Sequence, residues 1–263
     1  MRKLYIILFF VMLVCIGCEW HLRTSESESE GLVAVERYDR IEALYLSTGD
    51  VAALHQMNTD YSRQTQTLIE NLLQLGHVND SDINIRFFQY FQDTTLKTIL
   101  NDVRRQYADM SDVDKQLSES FQRLTELMPG IPIPQVYTQI SSLDQSIVVS
   151  DGMLGVSLDK YLGSDYPIYI KYGYTEHQRA TMTRSYIVPD CLSFYLLSLY
   201  PLSPERDTVA VWRNQHMGRI QHVVNLVLER RHFNNPHVDR AANLMKARPE
   251  MTARQLLLDD MGG

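Results

Sequence analysis

Eight histidines, three cysteines and fifteen tyrosines are the residues with obvious chemistry to offer. A zinc site needs imidazoles that share a helical face, at i and i+4, or a set of paired cysteines. His216 and His222 are six positions apart, and His232 and His237 are five apart with Pro236 between them. Neither spacing puts two rings on one face. Glu176-His177 has no second histidine at the helical distance, so no metal site and no cofactor is expected. No Gly-x-Ser-x-Gly elbow and no glycine-rich phosphate loop occurs, and Cys191 lies in the most apolar stretch, where a thiol is buried and inert. Carboxylate pairs of the glycosidase kind cannot be singled out among 32 acids. What stands out is Tyr161, Tyr166, Tyr169, Tyr172 and Tyr174, all within fourteen residues. Tyrosine is amphipathic and favoured at interfaces, so the cluster could line a groove for a protein or glycan partner. The simpler expectation is half-buried packing around a sheet edge, with hydroxyls reaching solvent.

The balance of 25 basic against 32 acidic residues, a net charge of −7, argues against nucleic acid as a partner. Residues 1–17 have the form of a signal peptide: Arg2 and Lys3 precede an unbroken apolar run, Leu4–Ile16, too short to span a bilayer. The run ends in Cys15-Ile16-Gly17-Cys18, which resembles a bacterial lipobox, with Cys15 where that motif ordinarily carries Leu. Cleavage before Cys18 would leave its sulfur and amine to carry acyl chains, and several chains hold a protein stably on a membrane. A plain secretory signal is the alternative. Residues 18–34 then form an acidic, coreless tether containing Ser25-Glu26-Ser27-Glu28-Ser29-Glu30, and residues 35–263 form one domain. The expected location is the cell envelope, lipid-anchored, on the periplasmic or surface face of what is expected to be the outer membrane.

Positioning falls to an α+β domain, predominantly helical. Helical spacing runs over Asp60–Leu75 with Gly76 as a C-cap. It continues over Ile83–Tyr107, broken near Asp93-Thr94-Thr95, and from an N-cap at Ser111 to Pro129-Gly130. Val33–Leu46 fits either a strand or a short helix. Gln135–Ile140, Ser146–Ser150 and Met153–Leu158 are β-like runs, with Asp151-Gly152 as a type I′ hairpin turn. They predict a small antiparallel sheet packed by helices. Asp190–Tyr200 predicts a buried helix with Asp190 at its N-cap. Thr208–Phe233 predicts a long helix with Val209 and Trp212 in the core, Val238–Ala247 another, and Thr252 a capping box that opens a last short one.

Phe87–Tyr200 resembles the gliding-motility lipoprotein GldB family of Bacteroidetes. The resemblance rests on Pro132-x-Pro134 before the first β run and on Asp151-Gly152-Met153-Leu154-Gly155-Val156-Ser157-Leu158-Asp159-Lys160-Tyr161-Leu162-Gly163. Tyr166-Pro167-x-Tyr169 and Ile187-Val188-Pro189-Asp190-Cys191 complete it. After Tyr200 the likeness is loose. It implies an envelope lipoprotein with no established catalytic residue, an accessory or scaffold component of a motility or secretion assembly, working with other envelope proteins.

Helices, a hairpin and then a buried helix is also the layout of zinc metallopeptidases, whose buried helix carries His-Glu-x-x-His. Here those histidine positions hold Pro189 and Ser193. Two alternatives to the scaffold are a divergent zinc-peptidase-like hydrolase and a lipoprotein that binds a ligand through the tyrosine-rich stretch.

Overall fold

Chain order explains most of the architecture. In the computed structural model, residues 33–259 are described, and Cys18 with its leader and tether lies outside them. A two-residue strand, β1 (Val35–Glu36), leads directly into α1 (Tyr38–Thr48), so the ambiguous Val33–Leu46 segment is both. Gly49, in the left-handed region at φ 72°, ends α1. Next come α2 (Val51–Thr59), with Asp50 capping Ala53 N–H, and α3 (Ser62–Gln66). The continuation of α3, Thr67–Leu72, is a π-turn, where Leu73 N–H reaches back five residues to Leu68 at 2.9 Å. The regular helix expected up to Gly76 therefore stops at Leu72.

Asp93 divides the next span as its sequence suggests. It accepts from Thr95 and Leu96 N–H at 2.8 and 3.1 Å, and so separates α4 (Ile83–Tyr90) from α5 (Thr94–Gln106). Helix α6 (Ser111–Leu127) follows, with Val113, Leu117, Phe121 and Leu124 buried on one face. Ser111 is its first residue and not its cap, and the Asp109 carboxylate takes the Ser111 N–H at 2.9 Å.

The sheet corrects the expected topology. Strands β2 (Gln135–Gln139), β3 (Ile147–Ser150) and β4 (Met153–Ser157) form it with β1 in the order β1-β2-β4-β3. Only the β3–β4 pair is antiparallel; β1–β2 and β2–β4 are parallel, so the sheet is mixed and mostly parallel. The β3–β4 hairpin turns at Asp151-Gly152, both at positive φ as a type I′ turn requires. The whole hairpin swings so that β4 inserts beside β2 and leaves β3 outside. Sequence neighbours usually pair, and that habit underlies the antiparallel expectation. Tyr137 on β2 faces Gly155 on β4 in this register. A Cβ at Gly155 would lie 2.6 Å from the Tyr137 ring and hydroxyl, so only glycine admits that buried ring. Tyr38 of α1 meets the same ring edge-on at 6.3 Å, which seats α1 on this face of the sheet.

After a 3₁₀ turn (Leu158–Lys160) come two short helices, α7 (Pro167–Lys171) and α8 (Glu176–Arg179). A second 3₁₀ turn (Arg184–Tyr186) runs straight into α9 (Ile187–Leu199), which packs against β3, β4 and α6. Helix α9 thus begins three residues before Asp190. Pro189 sits in its first turn, where a missing N–H costs nothing, and Asp190 is an interior residue instead of a cap. The C-terminal part holds α10 (Pro204–Asp207), α11 (Ala210–Val227), α12 (Pro236–Ala247, capped by Asn235) and α13 (Ala253–Leu258, with the Thr252 capping box). The long helix expected over Thr208–Phe233 is shorter at both ends. Val209 is exposed and Trp212 only half-buried, so neither is core; the Arg206 guanidinium lies over the Trp212 ring at 5.1 Å.

Candidate functional site

Parallel pairing of β2 and β4 brings their C-terminal ends side by side. One end continues into Ile140–Gln145, the other into Leu158-Asp159-Lys160-Tyr161. The buried Asp159 carboxylate accepts Ser141 N–H at 2.9 Å and Leu143 N–H at 2.5 Å. Lys160 Nζ donates to Leu143 C=O at 3.2 Å and to the Tyr174 hydroxyl at 3.0 Å, and that hydroxyl donates to Leu143 C=O at 3.0 Å. These bonds hold two consecutive non-glycine residues, Ser142 (φ 61°) and Leu143 (φ 65°), in the left-handed region. Such a backbone costs about 1 kcal/mol or more per residue and persists only where its surroundings over-determine it. Burial pushes the Asp159 carboxyl pKa up, against the lowering pull of its backbone N–H bonds.

The strained loop forms one wall of a groove of about 620 Å³. Tyr90 at the end of α4, Asp93, Leu96 and Ile99 from α5, Ser142 and Leu143, and Tyr172 and Tyr174 after α7 line it. Ile99 is buried and makes an apolar floor. The Tyr90 hydroxyl and Ser142 Oγ lie 2.8 Å apart. Between them they carry two hydroxyl protons and use one, so one donor and several lone pairs remain for a ligand. Lys160 Nζ stands 4.6 Å from the centre of the Tyr174 ring, and Tyr172 is 58% exposed. The groove offers aromatic walls, neutral hydroxyls and the carboxylate of Asp93, one oxygen of which is spent on the α5 cap.

The five clustered tyrosines have divided roles. Tyr161 and Tyr169 are core residues. The Tyr161 hydroxyl donates to Asp190 Oδ2 at 2.9 Å, while its C=O accepts the Tyr107 hydroxyl at 2.5 Å. The Tyr169 hydroxyl donates to Asp159 C=O at 2.5 Å and accepts Leu162 N–H at 2.9 Å. Tyr166 donates to Asp102 at 2.8 Å, and its ring meets Tyr169 edge-on at 4.9 Å. Burial raises the phenol pKa of Tyr161, Tyr166 and Tyr169. Only Tyr172 and Tyr174 face the groove. Their companions Tyr90, Leu96, Ile99, Ser142 and Leu143 come from two other regions of the chain and carry no local signal of a site; only Asp93 does, as a helix cap.

Helix α9 places Pro189, Asp190 and Ser193 where a zinc peptidase would carry His, Glu and His. Ser193 Oγ donates to Pro189 C=O at 2.7 Å, and Asp190 holds the Tyr161 hydroxyl. Burial pushes the Asp190 pKa up to about 7, and the Cys191 thiol, fully buried, well above its ordinary value. Among the described residues no group of three or more His, Cys, Asp or Glu side chains could hold a metal ion. No helix among them is long and apolar enough to cross a membrane.

Against known proteins, a family model described as gliding motility protein GldB matches residues 19–231. No curated protein and no solved structure matches the chain.

Proposed function

The chain belongs to the gliding motility protein GldB family, and from that premise we propose that it is a non-catalytic accessory component of a cell-envelope assembly serving gliding motility or secretion. Acyl chains on Cys18 hold it to the membrane, the acidic tether gives it reach, and the tyrosine-lined groove meets its partner. One observation carries this reading. The charged groups of Asp159 and Lys160, which lie in the stretch that resembles the family, point inward and fix the wall of the groove instead of facing a substrate. The Asp190 carboxylate, where a peptidase base would stand, likewise serves as an acceptor for a buried tyrosine. Both arrangements build a surface and leave no activated nucleophile.

Complementation of a gene deletion in the native host tests this. Wild-type protein and Asp190→Asn should both restore the envelope phenotype. Tyr172→Asp should fold and stay on the membrane yet fail to restore it, because a charge replaces the exposed aromatic wall. Full rescue by Tyr172→Asp removes the groove from the reading. Failure of a folded, membrane-bound Asp190→Asn points to chemistry at α9.

A further inference from the structure

We propose that the outer edge of β3 takes up an extended segment of another polypeptide as a fifth strand of the sheet. Strand β3 pairs only with β4, in the register Ile147↔Val156, Val148↔Gly155, Val149↔Leu154 and Ser150↔Met153. The next pair outward, Ser146 with Ser157, is hydrogen-bonded at 2.9 Å. Bonded and non-bonded pairs alternate along an antiparallel ladder. Val148 and Ser150 therefore turn their N–H and C=O groups toward β4, and Ile147 and Val149 turn theirs outward. None of those outward groups has a hydrogen-bond partner among the described residues.

The opposite edge is managed differently. Strand β1 is two residues long, Val35 N–H is taken by Asp114 Oδ1 at 2.9 Å, and the Glu36 carboxylate accepts from Gln64 and Gln135. Natural sheets blunt open edges with charge, proline, bulges or a covering element. The β3 sequence, Ile-Val-Val-Ser, has no charge and no proline, and its ladder has no bulge.

The chemistry of the edge names its occupant. Alternating N–H and C=O groups at strand spacing are matched by a polypeptide backbone. Val148 and Val149 lie on opposite faces and are both half-buried, so a docking strand with apolar or β-branched residues would cover each of them. Two outward residues provide four hydrogen-bonding groups, far short of the roughly 1,000 Å² that a stable dimer buries, which fits a flexible segment better than a second copy of this chain. The groove plays no part in this inference, so either can fail without the other.

The test is selection of a displayed library of random heptapeptides on the full chain, then affinity measurement with the enriched peptides. Val149→Pro removes an outward N–H at an edge position where proline is tolerated, and leaves the β3–β4 ladder intact. It should weaken binding at least about tenfold, while Val149→Thr, which keeps the N–H, binds as wild type. N-methylation of alternate peptide amides keeps the test independent of how Val149→Pro folds: one alternate set should abolish binding and the other should not. No enriched peptide, or equal binding by Val149→Pro and by both methylated sets, overturns the proposal. Concentration-dependent dimerisation that Val149→Pro dissolves also overturns it, since the occupant is then a second copy.

Discussion

Asp190 is an acid whose charge the fold opposes. Its pKa rises from 3.8 to about 7 because burial disfavours the carboxylate, only partly offset by the Tyr161 hydroxyl. A folded-state pKa above the unfolded one means that the native state binds the proton more tightly. The stability from this group is full below about pH 4 and is lost as pH rises through about 7. The whole swing is on the order of 4 kcal/mol at most. Asn keeps an acceptor for Tyr161 and carries no charge, so Asp190→Asn should melt at or above the wild-type temperature at pH 8, with a flatter pH profile between 5 and 8. Calorimetry across that range checks it; a wild-type-like slope would refute it. Asp159 calls for the opposite outcome. An amide in place of its carboxylate turns an NH₂ toward one of the two N–H groups it now accepts, and Asp159→Asn should cost about 1–3 kcal/mol. Denaturant titration reads the loss. The two acids sit in recognisable stretches of sequence, but their partners lie 18 and 29 positions away, so neither role is readable from spacing.

Among the elements, local chemistry was a good guide wherever the determinant is local. The Asp93 cap, the Asp151-Gly152 turn and the Thr252 box are two- to four-residue signals, and each stands where its residues place it. The antiparallel sheet was not borne out, because the insertion of β4 beside β2 depends on contacts such as Tyr137 over Gly155 that span eighteen residues. The same distinction separates Cys191, whose buried state follows from the apolar run around it, from the groove residues of α4 and α5, which only tertiary packing brings to Tyr172. Helices α11 and α12 cross closely at Gly218, where an added Cβ would fall 2.4 Å from His237 Cβ and 2.6 Å from its backbone carbon. A backbone obstacle cannot rotate away. Gly218→Ala should therefore push the helices apart, cost about 1–3 kcal/mol and lower the melting temperature by a few degrees. Leu196, fully buried on α9, is less forgiving: Leu196→Asp brings an unpaired carboxylate into the core and should yield no soluble, cooperatively melting protein.

For the molecule as a whole, the decisive experiment concerns the anchor. Cys18→Ala should move the protein from the membrane to the soluble fraction, and metabolic labelling with a fatty acid should mark wild type and not the variant. Retention of the variant on membranes would leave the tether without its role. The leader and lipobox were legible in the sequence because targeting machinery reads short linear signals. The groove was not, because it is assembled from three regions that only the folded chain juxtaposes.

The π-turn at Thr67–Leu72 makes one further demand on the chain. It stores a surplus residue in a helical frame, so its length and its phase are locked together. Excising any one residue between 67 and 72 would let the segment relax to ordinary winding, but it would swing everything from there to Gly76 round by about 100°. Leu72, now buried, would turn toward water. Shortening here thus amounts to a rotation, and a shortened chain would keep its helix while losing its seat.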